Sequence, residues 1–184
     1  MPRQPAGRRL VIDADVARAA GRAASHDPTS AACRGFLTCT RDETRHVTAM
    51  SDKLSREWTE HASPFAVRWL AAMRSRGRLI DLGDTHEPDL HSAITRHAAT
   101  DAQRERVLKD LHLVETARRA DRVVCSRDEV VRGDLRLLAR RVTQLGRVIW
   151  VNPTHPDEEP LSWLRAGARN DAWRRLDRAT RTDL

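Results

Sequence analysis

Short apolar runs alternate with longer amphipathic stretches along this chain, and the alternation predicts strands and helices in turn. Leu10-Val11-Ile12 is an unbroken apolar run closed by Asp13 and Asp15. That pattern suits a central strand covered on both faces. A helix over Val16 to about Ala24 follows, with Asp15 as its N-cap. Ser25 to Pro28 breaks it, and Thr29 or Ser30 opens a second helix through Leu37 and Thr38. The polar cluster Thr40 to Arg45 reads as a turn, and His46 to Met50 as the second strand. Ser51 caps a helical unit carrying Leu54, Trp58, Phe65, Trp69 and Met73, which Pro64 divides in two and Gly77 ends. Arg78 to Leu82 is the third strand, Gly83 to Asp89 a loop and Leu90 to His97 a helix. Thr100 or Asp101 opens a longer helix through Ala120, with Val107, Leu111, Val114 and Ala117 on its apolar face. Arg122 to Ser126 is the fourth strand. A helix with Val130, Val131, Leu135, Leu138 and Val142 then runs to near Gly146, and Arg147 to Val151 is the fifth strand.

Strands alternating with helices predict an α/β fold: a three-layer sandwich with a mostly parallel, about five-stranded central sheet and right-handed crossovers. The pattern divides the chain into a domain over residues 1–153 and a basic C-terminal helical extension over residues 154–184. In the extension, Leu161, Trp163, Leu164, Ala168, Trp173 and Leu176 suit a terminal helix. Arg165, Arg169, Arg174, Arg175, Arg178 and Arg181 give that helix a solvated basic side.

Charge adds a partner to this picture. The 184 residues carry a net charge of +7, which suits a polyanion. Lys53 and Lys109 are the sole lysines, so arginine, whose planar fork binds phosphate, supplies nearly all the positive charge. A GC-rich coding bias produces the same excess, so charge alone does not select nucleic acid. The cysteines, Cys33, Cys39 and Cys125, form no Cys-x-x-Cys pair, so neither a disulfide framework nor a cysteine zinc site is expected. No apolar run approaches the roughly 18 residues of a membrane span, and Leu10 to Ile12 is too short for a signal peptide's apolar region. A cytoplasmic protein with no membrane partner is expected.

The acids carry the candidate chemistry. Asp13 ends the first strand, where turn and cap roles compete with ligand binding. Glu57 lies beside Leu54 and Trp58 on a helical wheel, with His61 between them. Asp110 is three residues after Val107 and four before Val114, so it points into the apolar face. An unpaired buried carboxylate costs several kcal/mol, so Asp110 needs a salt bridge or a cation. Asp128 follows the fourth strand. If the first and fourth strands are adjacent, these four acids converge on the sheet's C-terminal edge and repel one another unless a cation is bound. Oxygen ligands of this kind suit Mg²⁺ or Mn²⁺. The scattered histidines His61, His86, His91, His97 and His112 read as surface groups or as supports behind the acids.

The order Val11-Ile12-Asp13, Ser51 followed by Glu57, Lys109-Asp110-Leu111-His112 leading into Glu115-Thr116-Ala117, and Val123 to Asp128 resembles the PIN-domain nucleases over about Leu10 to Asn152. The resemblance implies a parallel sheet between helices. It also implies that Asp13, Glu57, Asp110 and Asp128 are catalytic acids holding divalent metal for cleavage of RNA, or sometimes DNA. An inhibitory antitoxin partner, as in toxin–antitoxin pairs, and a homodimer are compatible with it. The chain departs from the pattern at Asp15, where many members have Asn. Glu60 rivals Glu57, and Glu129 and Asp134 are candidate additions near Asp128. Asp13-Ala14-Asp15 also resembles the first motif of haloacid-dehalogenase-like phosphatases, with Ser126 and the Asp128/Glu129 pair as poorly ordered substitutes for its later motifs. A nucleic-acid- or protein-binding module with a weakened site is the non-enzymatic alternative.

Overall fold

The computed structural model describes residues 7–21 and 27–178. Five strands, β1 (Arg9–Ile12), β2 (Val47–Met50), β3 (Leu79–Asp81), β4 (Val123–Cys125) and β5 (Ile149–Val151), form one open sheet. Their order is β3-β2-β1-β4-β5, and every pairing is parallel. β1 and β4 are neighbours, with Leu10 to Ile12 in register with Val123 to Cys125. The condition for convergence of the acids is therefore met. The chain passes from the β1–β2–β3 side to β4 at this point, so the strand order reverses between β1 and β4. In open α/β sheets ligands bind outside the strands' carboxyl ends at such a reversal.

The helices are α1 (Ala14–Ala19), α2 (Pro28–Asp42), α3 (Asp52–His61), α4 (Pro64–Ser75), α5 (Pro88–His97), α6 (Asp101–Arg119), α7 (Glu129–Ala139) and α8 (Pro160–Arg165). α1 packs against α2, α3 and α4, whereas α5 packs on α6 and α6 on α7. Right-handed crossovers place these two groups on opposite faces of the sheet, consistent with three layers. α3 also touches α6, which closes the layers over one edge.

Several boundaries differ from the expectation for local reasons. Asp13, not Asp15, caps α1, because its carboxylate accepts the Asp15 amide at 3.2 Å. α2 is capped by Asp27 and continues to Asp42, through residues expected to turn. Two contacts hold its last turn. The Thr40 hydroxyl donates to the Phe36 carbonyl at 2.9 Å, and the Arg78 guanidinium donates to the carbonyls of Thr40, Arg41 and Thr44. Ala24 and Ser25, expected at the end of α1, lie outside the described residues. Ser51, Ser63 and Thr100 cap α3, α4 and α6 as their side chains suggest. Gly77 ends α4 at φ +65°, a conformation glycine adopts without strain.

α6 departs most from its pattern. Val107, Leu111, Val114 and Ala117 are buried as expected, but so are His112, Leu113, Glu115 and Thr116. The cause is its position, packed against the sheet, α3, α5 and α7 together.

The tail does not form one terminal helix. α8 ends at Arg165, and Gly167 and Ala168 turn the chain with positive φ. Trp163, Leu164, Ala168 and Leu176 join the same hydrophobic core as the strands, and the Leu176 amide donates to the Val148 carbonyl at 2.9 Å. Arg174, expected in water, is buried. It donates to Glu158, which also accepts from Arg132, and its guanidinium lies 4.1 Å from the ring centre of Trp173. Arg181 lies outside the described residues. The three cysteines are free and buried. Among the described residues, no helix is long and apolar enough to cross a membrane.

Candidate functional site

Because the sheet is wholly parallel, Asp13, Ser51, Asp81 and Ser126 all lie at its C-terminal edge, at or just beyond the strand ends. Asp13 is half-buried at the β1–β4 boundary. Its Oδ2 accepts the Ser126 hydroxyl at 2.7 Å, and the Ser126 Oγ accepts the Asp128 amide at 3.1 Å. One buried hydroxyl thus ties together the ends of β1 and β4. Asp128 caps α7 through Oδ1, which accepts the Val131 amide at 2.8 Å. Cap chemistry is therefore real for both aspartates, yet for Asp128 it uses only one carboxylate oxygen. Burial raises the Asp13 carboxyl above its usual range, Glu57 adds to the rise, and hydrogen bonds from Ser126 and Asp15 oppose it.

Glu57 sits in the second turn of α3, next to Trp58. The Trp58 indole N–H donates to the Ile12 carbonyl at 2.9 Å, which pins α3 beside the residue preceding Asp13. His112 of α6 meets Glu57 from the other side, with Nε2 and Oε2 2.9 Å apart. Burial and then Lys53 push the imidazole down to about 4, so it is neutral at pH 7. Nδ1 faces the Lys109 carbonyl at 3.3 Å, and the shorter, charge-assisted contact at Nε2 favours the tautomer protonated there, which donates to the Glu57 carboxylate. His112 is therefore a positioning group for Glu57. Burial raises the Glu57 carboxyl, while Lys53, His61 and Lys109 oppose the rise.

Trp58→Phe is expected to keep the packing and strand the buried Ile12 carbonyl. The cost is about 1–3 kcal/mol of stability. Divalent-metal affinity should fall with it, because α3 loses its anchor beside Asp13. Chemical denaturation and Mn²⁺ calorimetry check this, and unchanged metal binding would detach Glu57 from the site.

Asp110 stands apart from the sheet. Thr116, which donates to Ser51 at the end of β2, marks where α6 crosses the edge. Asp110 is six residues earlier on the helix, about 9 Å beyond that point. Its half-buried carboxylate has no hydrogen bond or ion pair among the described residues. Burial, then Asp13, Asp128 and Glu57, push it up to about 6, with Lys109 opposing. All four predicted acids therefore act on Asp110 or are Asp110 itself. The salt bridge that would have explained it structurally is absent among the described residues.

The neighbouring acids sort differently. Asp15 is half-buried with Oδ1 lacking a hydrogen-bond partner, and its Oδ2 lies 3.9 Å from Arg127. Burial and Asp13 push it up to about 7. Glu60 is exposed and pairs with His61 at 3.6 Å. Glu129 is exposed and bonds Asn152 and Arg132, and Asp134 bonds Gln103 and Arg106. None of those three joins the four acids. Lys53 donates to the Lys109 carbonyl at 2.5 Å, so both lysines of the chain border the site.

The four acids share an electrostatic field without forming one tight ligand shell. Among the described residues, the one group of three ligand-type side chains with donor atoms within 4.8 Å of one another is His86, His91 and Glu115. These line a cavity of about 370 Å³ together with Ser51, Lys53, Arg56 and His112. None of the four acids lines it. His86 and His91, expected as surface groups or as supports behind the acids, and Glu115, for which no role is expected, meet here instead. The available signal was the spacing of His86 and His91 across Pro88, but the burial of Glu115 depends on packing around α6.

No family model matches the chain, and comparison with the curated proteins finds no significant match.

Proposed function

We propose that this protein is a divalent-metal-dependent phosphodiesterase of the PIN-like kind, acting on RNA in preference to DNA. The observation that carries the reading is Asp110, an unpaired, half-buried carboxylate in the combined field of Asp13, Glu57 and Asp128. Such a charge carries a free-energy cost that a bound cation relieves. The donor set is all oxygen and spread out, which fits Mg²⁺ or Mn²⁺. Mg²⁺ in particular keeps several waters and takes few direct carboxylates.

Asp13, Glu57, Asp110 and Asp128 would hold the metal, which supplies an activated water and neutralises charge on the phosphodiester. Ser126 fixes Asp13 and His112 fixes Glu57, so neither carboxylate must reorganise. Lys53, Lys109 and Arg127 lie around the acids and suit the phosphates of a bound strand. The phosphatase alternative requires a free serine hydroxyl beside the first aspartate. Ser126 is fully buried, with its proton on Asp13 and a lone pair on the Asp128 amide.

Purified protein incubated with structured RNA or single-stranded DNA should cut RNA in Mg²⁺ or Mn²⁺ and stop in EDTA. Absence of cutting, together with no Mn²⁺ binding by calorimetry, overturns the reading and leaves a binding module.

A further inference from the structure

The cluster His86, His91 and Glu115 has no part in the proposed nuclease chemistry. It joins three elements: the loop after β3, helix α5 and helix α6. Glu115 is almost fully buried, with a side chain 4% exposed. Its Oε1 accepts the Glu87 amide at 2.7 Å. His91 Nε2 lies 3.2 Å and His86 Nδ1 3.5 Å from the same oxygen. Neither imidazole is aligned for a hydrogen bond to it; Glu115's hydrogen bond is to the Glu87 amide. The two rings lie edge to face, with centres 4.4 Å apart.

These separations suit ligands around a common ion. Zinc bonds of about 2.1 Å in a tetrahedron set neighbouring donor atoms about 3.4 Å apart. Two imidazoles with one carboxylate form the His₂Glu set that zinc enzymes use with a water in the fourth position. The donors differ in kind from those at the four acids. Imidazole favours zinc and its neighbours in the transition series, whereas all-oxygen sets favour Mg²⁺ and Mn²⁺. The cavity of about 370 Å³ beside the cluster leaves room for a fourth ligand. Its lining balances Lys53 and Arg56 with Asp52 and Asp84. Glu115 is oriented by the Glu87 amide, and Glu87 is held in turn by both oxygens on Arg118 Nε at 3.0 Å. Outer contacts of this kind fix a carboxylate ligand.

We infer that His86, His91 and Glu115 form a second metal site, of zinc type, separate from the four acids and with its fourth position open to the cavity. A metal there fastens the loop after β3 and the start of α5 to α6.

The test is a titration of chelator-treated full-length protein with Co²⁺, followed by displacement with Zn²⁺. One equivalent of Co²⁺ should give the intense visible bands of tetrahedral coordination, and Zn²⁺ should abolish them. His91→Ala and His86→Ala, both at partly exposed positions, should each weaken Zn²⁺ binding about a hundredfold or more. Their far-ultraviolet spectra and melting curves establish that they fold. Asp110→Asn should leave the Co²⁺ bands and Zn²⁺ affinity unchanged. Weak octahedral bands in the wild type, or Zn²⁺ affinity unaltered in both histidine variants, overturns the assignment. Loss of the bands in Asp110→Asn also overturns it, because the metal would then belong to the acids.

Discussion

Asp110→Asn is expected to abolish metal-dependent cleavage and, in metal-free protein, to raise the melting temperature. The two effects have one cause. At pH 7 the wild-type carboxylate is charged and meets Asp13, Asp128 and Glu57 with no ion-pair partner, and burial pushes it up to about 6. A raised carboxyl value means the folded state disfavours the charge that the unfolded chain carries freely. Asparagine removes that cost, worth about 1–2 kcal/mol after allowance for partial exposure. It also removes a ligand, so cleavage should fall by at least about a hundredfold if the metal supplies most of the catalysis. Scanning calorimetry with and without Mn²⁺ separates the effects. Mn²⁺ should stabilise the wild type and leave the variant unmoved. A variant less stable than the wild type without metal would mean that Asp110 has a structural partner and is not a ligand in waiting.

Glu158→Gln tests the other large expectation, that the C-terminal segment is integral to the domain. Glu158 is 6% exposed and holds two guanidiniums that are each 3% exposed, Arg132 from α7 and Arg174 from the tail. Arg132 also donates to the Trp150 carbonyl of β5, and Arg174 to the Glu158 carbonyl. The network thus binds the tail to the sheet's edge strand. Neutralising its one buried anion leaves Arg132 with the exposed Glu129 and Arg174 with the half-buried Asp171, each at 3.2 Å, as their remaining counter-charges. Because each cation keeps one partner, the expected loss lies below that of a fully orphaned buried charge, at about 2–3 kcal/mol, or about 8 °C in melting temperature for a chain of this size. A loss below about 1 kcal/mol would mean that the network is no better than a surface ion pair and that the tail is an appendage.

The strands were readable because each is a short apolar run, and such runs have few other places to go in an α/β chain. Leu10 to Ile12 and Val123 to Cys125 were identified with no knowledge of which strand lies beside which. Ser51 and Thr100 revealed their helices because capping is a local bond. What the sequence did not reveal depends on contacts between distant segments. α2 runs past Thr40 because Arg78, far along the chain, collects its terminal carbonyls. Glu115 and His112 look like the polar side of an amphipathic helix, and they are buried because α6 is covered on several sides. Arg174 resembles a solvated charge until Glu158 is seen beneath it. Among the acids, chain order singled out the four carboxylates proposed as ligands. The support of Asp13 by Ser126 and of Glu57 by His112 required the fold.

The scarcity of lysine gives the site a chemical address. The side-chain amines of the whole chain are Lys53 and Lys109, and they lie side by side at the acids, one donating to the other's carbonyl. Apart from the α-amino group, an amine-selective acylating reagent therefore reads out this one neighbourhood, with no background from the arginines. A strand lying across the acids would shield both amines, and the degree of acylation would report occupancy without any turnover.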